Sequence, residues 1–296
     1  MSPLTSPSRT AWMVAQRRAA HQLMDRPPVF TDPLGLRILG RETAAELERD
    51  PQYHAHRISD RYLRAFLAAR SRIAEDTLAD LVSQGLRQYV ILGAGLDTFA
   101  YRNPWPGLRV WEVDHPATQG WKRERLAKGE ITVPSPEPFV PVDFAHQDLE
   151  QALVAAGLDL GQPAFFSWLG VAPYLERPAI DALLGFVACA SGSGGGIVFD
   201  YFIPPHTQTL MIRLLLALCR YRLKQIGEPW RTHFDPAQLV AQLQDLGFDD
   251  VTDFTPELIN ERYFSGRDDG LKVGTVGHVM RALNGLSAPK LIPSSS

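Results

Sequence analysis

Cysteine is nearly absent from this 296-residue sequence: only Cys189 and Cys219 occur, with no Cys-x-x-Cys pair and no histidine pair beside either. That scarcity excludes a disulfide scaffold and a cysteine-based zinc centre, and no metal is expected. Charge of one sign is also lacking. Thirty Lys+Arg stand against 33 Asp+Glu, for a formal net charge of −3. A balance this even offers no basic surface for nucleic acid and no polybasic anchor, so neither nucleic acid nor a membrane is expected as a partner. No uncharged apolar run approaches the roughly 18 residues a spanning helix needs. The nearest, Leu214 to Cys219, has Arg213 and Arg220 at its ends. The opening MSPLTSPSRT-AWMVAQRRAA is broken by Gln16, Arg17 and Arg18 before an apolar core can form, so no signal peptide is expected and the protein is expected to be soluble and cytoplasmic.

What is present is an ordinary globular composition, 45% hydrophobic, in a chain long enough to bury a large core. Residues 1–87 read as a helical extension, with Ile58, Tyr62, Phe66, Ala69, Ile73, Leu78 and Leu81 near a helical period across 58–82. From residue 88 the texture changes. Short apolar runs, 88–92, 109–114, 139–143, 164–168 and 196–200, alternate with helical patterns at 115–128, 146–156 and 177–190. This alternation predicts an α/β fold with a doubly wound, mostly parallel, Rossmann-like sheet. It breaks at 201–235, where a long apolar helix over 206–226 and a loop with Trp230 and His233 read as a helical lid insert. A helix over 236–246 with Asp235 as N-cap and strands near 249–254 and 277–283 complete the domain, taken as 88–283. Residues 284–296 read as a disordered tail.

Chemistry concentrates at the predicted strand ends. Tyr89-Val-Ile-Leu-Gly93-Ala-Gly95-Leu-Asp97-Thr98 is a strand ending in Gly-x-Gly and predicted to turn into a helix, a geometry that lets backbone N–H groups approach a ligand closely. Thr98 replaces the third glycine of the dinucleotide fingerprint, which argues against a pyrophosphate there. Asp114 ends the next strand, nineteen positions after Gly95, where a carboxylate can accept both ribose hydroxyls of an adenosine-containing cofactor. Glu112, on the same side of the strand, is placed to support it. The alternative for Asp114 is a helix cap. Asp143 with Phe144 ends the third strand and suits an adenine ring, whose amine donates to a carboxylate while an aromatic face covers the base; the alternative is a turn aspartate.

The runs LGAGLDTFAYR, VWEVDHP with Lys122-Arg123, VPVDF, FFSWLGVAPYL and, upstream, AARSRIAED resemble the leucine carboxyl methyltransferase family across residues 10–283. That resemblance implies S-adenosyl-L-methionine as cofactor. Arg70 would bind its methionine carboxylate, Gly93 and Gly95 would form the turn under it, Asp114 would take the ribose, and Asp143 with Phe144 the adenine. A guanidinium suits a carboxylate, although Arg70 read by itself is a helix-surface arginine. Where eukaryotic members carry glutamate before Gly-Val in the fourth-strand motif, this chain has Leu169, so that contact is lost or supplied by a neighbour such as Ser167. The implied activity is O-methylation of a carboxylate or phenolic hydroxyl of a small molecule, which is the expected partner.

Methyl transfer demands alignment more than acid–base chemistry, and no catalytic residue is assigned. His115, His206 and His233 read as structural or solvent-facing. Tyr174 and Arg213 are candidates to touch the acceptor, with Arg220 and Arg222 on the same helix as further candidates, against the alternatives of a core tyrosine and solvated arginines. Two rival functions share part of the pattern: a nicotinamide-dependent oxidoreductase, and a catalytically degenerate cofactor-binding protein.

Overall fold

The structure is a computed structural model and describes residues 8–51, 58–143, 147–191, 194–225 and 227–285. The N-terminal segment forms α1 (Arg9–Met24), α2 (Arg41–Arg49) and α3 (Ile58–Ser83). The chain then alternates through β1 (Gln88–Leu92), β2 (Arg109–Asp114), α4 (Pro116–Lys128), β3 (Phe139–Pro141), α5 (Leu149–Ala155), β4 (Ala164–Trp168), α6 (Arg177–Ala190) and β5 (Gly195–Phe202). It closes with α7 (Leu210–Gln225), α8 (Pro236–Asp245), β6 (Asp250–Phe254), α9 (Pro256–Phe264) and β7 (Gly277–Asn284). The seven strands make one sheet in the order β3-β2-β1-β4-β5-β7-β6, parallel except for β7, which runs antiparallel to both neighbours. The predicted doubly wound, mostly parallel α/β architecture is therefore present. Its topological switch point falls between β1 and β4, which leave the centre in opposite directions and open a crevice at their C-terminal ends.

Strand alternation decides what each face of the sheet receives. Val90, Leu92, Phe166, Trp168, Ile197 and Phe199 join Ile180, Leu184 and Leu239 of the helices on one face. Tyr89, Ile91, Phe165 and Val198 join Ile73 and Leu78 of α3 and Ile259 of α9 on the other. Parallel strands covered on both faces read as uninterrupted apolar runs, which is why 88–92 and 164–168 were legible to the residue.

Four expectations need correction. No α-helix follows the Gly-x-Gly turn: the chain makes a single 3-10 turn at Phe99–Tyr101 and breaks at Asn103-Pro104-Trp105-Pro106, where Asn103 bonds Trp105 N–H and the Leu108 carbonyl. Proline removes the donor a longer helix would need. The insert helix begins at Leu210, not 206, after a 3-10 turn at Pro205–Thr207, and position 226 lies outside the described residues. Helix α9 was not anticipated, although Thr255 caps Leu258 N–H and Pro256 stands at its first turn, the same start signals that marked α8. Finally, β7 extends to Asn284, so the tail reading applies only beyond it, and from 286 onward it lies outside the described residues.

Candidate cofactor site

The Gly-x-Gly turn is pinned across the end of β2. Gly93 and Ala94 donate to the Val113 carbonyl at 2.8 and 3.1 Å. Gly93 has φ +67°, and a Cβ there would sit 2.4 Å from Val171 Cγ2 in the loop after β4. The close approach that demands glycine at 93 is thus made by Val171. Gly95, φ +45°, lies under Ala11 of α1, whose Cβ is 3.3 Å from where a side chain would begin.

Asp114 stands half-buried at the end of β2, with both carboxylate oxygens in use: Oδ2 accepts from Gly95 N–H at 2.6 Å and Oδ1 from His115 N–H at 2.7 Å. Burial raises its pKa above 3.8, while these amides, the Lys122 charge and Thr118 pull the other way. The helix cap that was the alternative reading for Asp114 is supplied by His115, whose Nδ1 accepts from Ala117 N–H at 3.2 Å. Glu112 does face the same side of β2. It is fully buried, bonded to Lys122 Nζ at 2.7 Å and to the Tyr101 hydroxyl at 2.8 Å, and burial raises its pKa. Its support of the site passes through Lys122, whose charge also favours ionised Asp97 and Asp114.

Arg70 is carried by α3 to the C-terminal ends of β4 and β5. Its Nη1 meets Asp200 Oδ2 at 2.7 Å, both side chains are buried, and Asp200 Oδ1 also accepts Gly170 N–H. The guanidinium lies against Gly170, where a Cβ would be 2.9 Å from Nη2. Ser167 does not replace the missing glutamate at 169: its Oγ is buried and accepts the Tyr89 hydroxyl at 2.7 Å. The carboxylate beside Arg70 is Asp200, one strand over, which sequence reasoning noted only as a strand end. A strand-terminal acid next to the motif strand was the available signal.

Asp143 is half-buried two residues beyond β3, its backbone exchanging bonds with Gln147 at 2.8 and 2.9 Å. Phe144 lies outside the described residues. The Gly-x-Gly turn, Asp114 and Asp143 therefore fall in order along the C-terminal ends of β1, β2 and β3, side by side as their strand positions predicted, and Arg70 lies beyond them at β4 and β5.

The acceptor candidates separate. Tyr174 ends a 3-10 turn after β4; burial raises its pKa, and its hydroxyl faces Trp230, Thr10 and the Arg70 charge. The end of the insert is stitched onto this segment, with Arg231 N–H donating to Pro173 O at 2.7 Å. Glu228 accepts from Arg9 and Thr10 N–H at 3.1 and 3.2 Å, joining the insert to the start of α1. Arg213 is exposed and lines a cleft of about 280 Å³ with Pro205, Leu210, Ala217 and Arg220. No described contact links it to Tyr174. Helix α7, the long apolar helix of the insert read as a lid, has no buried residue. His233 is half-buried near Arg220, and burial and that charge lower its pKa.

A network that the sequence did not reveal holds the turn from below. Thr98 is fully buried; its hydroxyl donates to Asp32 Oδ1 at 2.8 Å and accepts from Arg18 and Arg102 at 3.2 Å each. Among the described residues no cluster of His, Cys, Asp and Glu could hold a metal, and no helix is long and apolar enough to cross a membrane.

The family model described as leucine carboxyl methyltransferase matches residues 11–188. A Bacillus subtilis protein named as an S-adenosyl-L-methionine-dependent methyltransferase, YktD, is 30% identical over 305 residues, covering 93% of this chain and 97% of its own. A Mycolicibacterium paratuberculosis protein named likewise is 34% identical over 258 residues, covering 82% and 77%. A solved structure named as a methyltransferase from Thermobifida fusca shares the fold, with a TM-score of 0.53 at 19% identity over 96% of this chain and 97% of its own.

Proposed function

This chain belongs to the leucine carboxyl methyltransferase family and is an S-adenosyl-L-methionine-dependent methyltransferase; from that premise we propose that it methylates an oxygen of a small molecule, a carboxylate or a phenolic hydroxyl. The donor set fits the cofactor. A buried Arg70–Asp200 pair offers one cation and one anion to a zwitterionic amino-acid end, Asp114 offers a carboxylate to vicinal hydroxyls, and Asp143 one to an exocyclic amine. When bound, S-adenosylmethionine supplies an electrophilic methyl group for displacement by oxygen.

The chain's own part is to hold and enclose. Arg70 would anchor one end, Asp114 the middle, and the α1 start with Trp230 and Tyr174 would keep water from the acceptor side. The observation that favours the carboxylate reading is Tyr174: a phenol is protonated near neutral pH and burial raises its pKa further, so its hydroxyl can donate a hydrogen bond and is not a base. Such a group suits an acceptor already ionised near neutral pH, as a carboxylate is. The phenol reading has its own support in His233, whose lowered pKa leaves an imidazole free to accept a proton. Incubation with labelled methyl donor and a panel of carboxylic acids and phenols tests both, since a methyl ester is lost in base and an aryl ether is not. Base-stable label from phenols alone, abolished by His233→Ala, would overturn the carboxylate reading; no transfer to any oxygen acceptor would overturn both.

A further inference from the structure

Helix α7 leaves six large apolar side chains uncovered: Leu210, Met211, Leu214, Leu215, Leu218 and Tyr221 are 47–73% exposed. Their spacing, i, i+1, i+4, i+5, i+8 and i+11, puts them on one stripe. The opposite side, Ile212, Leu216 and Leu223, is half-buried and faces the body. Six such neighbours reach the upper end of the roughly 300–600 Å² that the largest apolar patch of a monomer covers. The charge around the stripe has a single sign. Arg213, Arg220, Arg222 and Lys224 lie on α7, and no Asp or Glu occurs between Asp200 and Glu228, although the whole chain is net acidic.

We propose that α7 docks in the plane of an anionic lipid surface, with the stripe in the headgroup boundary, Arg213, Arg220 and Lys224 along one edge of it and Arg222 at its C-terminal end. An apolar face bordered only by Lys and Arg is the pattern of an interfacial helix, because the long cationic side chains reach lipid phosphates while their stems stay in the apolar zone. A second copy of this chain fits less well, since pairing two α7 stripes sets four cations against four with no acid on either helix. The helix is too short and too charged to span a bilayer, so the contact is peripheral. A net charge of −3 gave no hint of this, because the average over the chain hides one helix without acids.

The test is co-sedimentation of the full chain with vesicles of phosphatidylcholine alone and of phosphatidylcholine with phosphatidylglycerol. Binding is expected only with the anionic lipid, and to weaken with added salt. Two variants separate the contributions. Met211→Gln/Leu215→Gln/Leu218→Gln removes apolar contact and Arg222→Glu/Lys224→Glu reverses charge; each is expected to weaken vesicle binding by at least about tenfold. All five positions are exposed, so the variants should melt like the parent. The proposal is overturned if the parent chain ignores anionic vesicles or if binding is unchanged in both variants. A concentration-dependent dimer that the triple variant abolishes, without vesicle binding, would assign the stripe to a second copy.

Discussion

Replacing Asp114 with alanine perturbs two things that can be measured apart. In the cofactor-free chain its carboxylate closes the turn, at 2.6 Å to Gly95 N–H and 2.7 Å to His115 N–H. An amide left without its acceptor costs about 1–3 kcal/mol, and water reaching a half-buried site recovers part of that, so Asp114→Ala should lower stability by about 2–4 kcal/mol even though burial opposes the carboxylate's charge. If the same carboxylate accepts ribose hydroxyls, cofactor affinity should fall by a further 2–4 kcal/mol, about 30- to 1,000-fold. Denaturant unfolding reads the first loss and titration calorimetry with S-adenosylmethionine the second.

The pH dependence supplies an independent check. Burial raises the Asp114 pKa above 3.8 in the free protein, so ionising this group costs folding stability: its favourable contribution is present below 3.8 and is lost as pH rises through the raised value. Hydroxyl donors favour the ionised form. Cofactor affinity should therefore climb as pH rises through that same window, level off above it, and be accompanied there by proton release. In Asp114→Ala this acid limb should vanish. A folded variant with parental affinity, or one that keeps the acid limb, would refute the ribose assignment.

Three further outcomes rest on contacts elsewhere in the fold. Gly93→Ala should cost about 2–4 kcal/mol, from the φ of +67° and the 2.4 Å overlap with Val171; adding Val171→Ala should restore only the overlap part in urea unfolding, and full restoration would remove backbone strain from the account. Asp200→Ala leaves the Arg70 guanidinium buried and unpaired and should cost about 3–5 kcal/mol, whereas Arg70→Met/Asp200→Leu should cost much less than the sum of its single changes; additive losses would show the pair is not coupled. Asp25 accepts His21 Nδ1–H at 2.7 Å and Arg64 at 2.9 and 3.1 Å, and despite burial these partners hold its pKa below 3.8. Its stabilisation is present above 3.8 and lost as pH falls through the depressed value, so Asp25→Asn should flatten the acid limb of stability against pH, and an unchanged limb would contradict the assignment.

The sequence was most legible where local pattern and burial coincide. Residues 88–92, 109–114, 164–168 and 177–190 have the predicted bounds because a strand covered on both faces, or a helix starting at a proline, is written in a few consecutive residues. Arg70 was placed only by resemblance, since its own spacing reads as helix surface; burial against Asp200 came from 130 residues away. The same distance hid the Asp200 carboxylate that stands beside Arg70. Ser167 is nearer to position 169 in sequence, yet its place on β4 points it at Tyr89. Amphipathic spacing likewise locates the apolar stripe of α7 without saying what covers it.

Thr98 shows how the N-terminal extension enters the site. Its φ of −115° requires no glycine, so the departure from the dinucleotide fingerprint is not forced by backbone geometry. What the position requires is a hydroxyl. Arg18 from α1, Asp32 from the segment after it and Arg102 converge on this one oxygen, and Arg102 also grips Glu75 of α3. A glycine would deprive buried Arg18 and Asp32 and half-buried Arg102 of the hydroxyl they share, a loss added to that of the side chain's packing. Where a dinucleotide-binding fold stiffens this turn with the helix that follows, here a 3-10 turn follows, and stiffness comes from side chains of 1–87. Ala11 over Gly95 and Glu228 on the first amides of α1 continue that grip to the opposite rim. Helix α1 thus lies between the Gly-x-Gly turn and the end of the insert, so a change in its position would be felt at both.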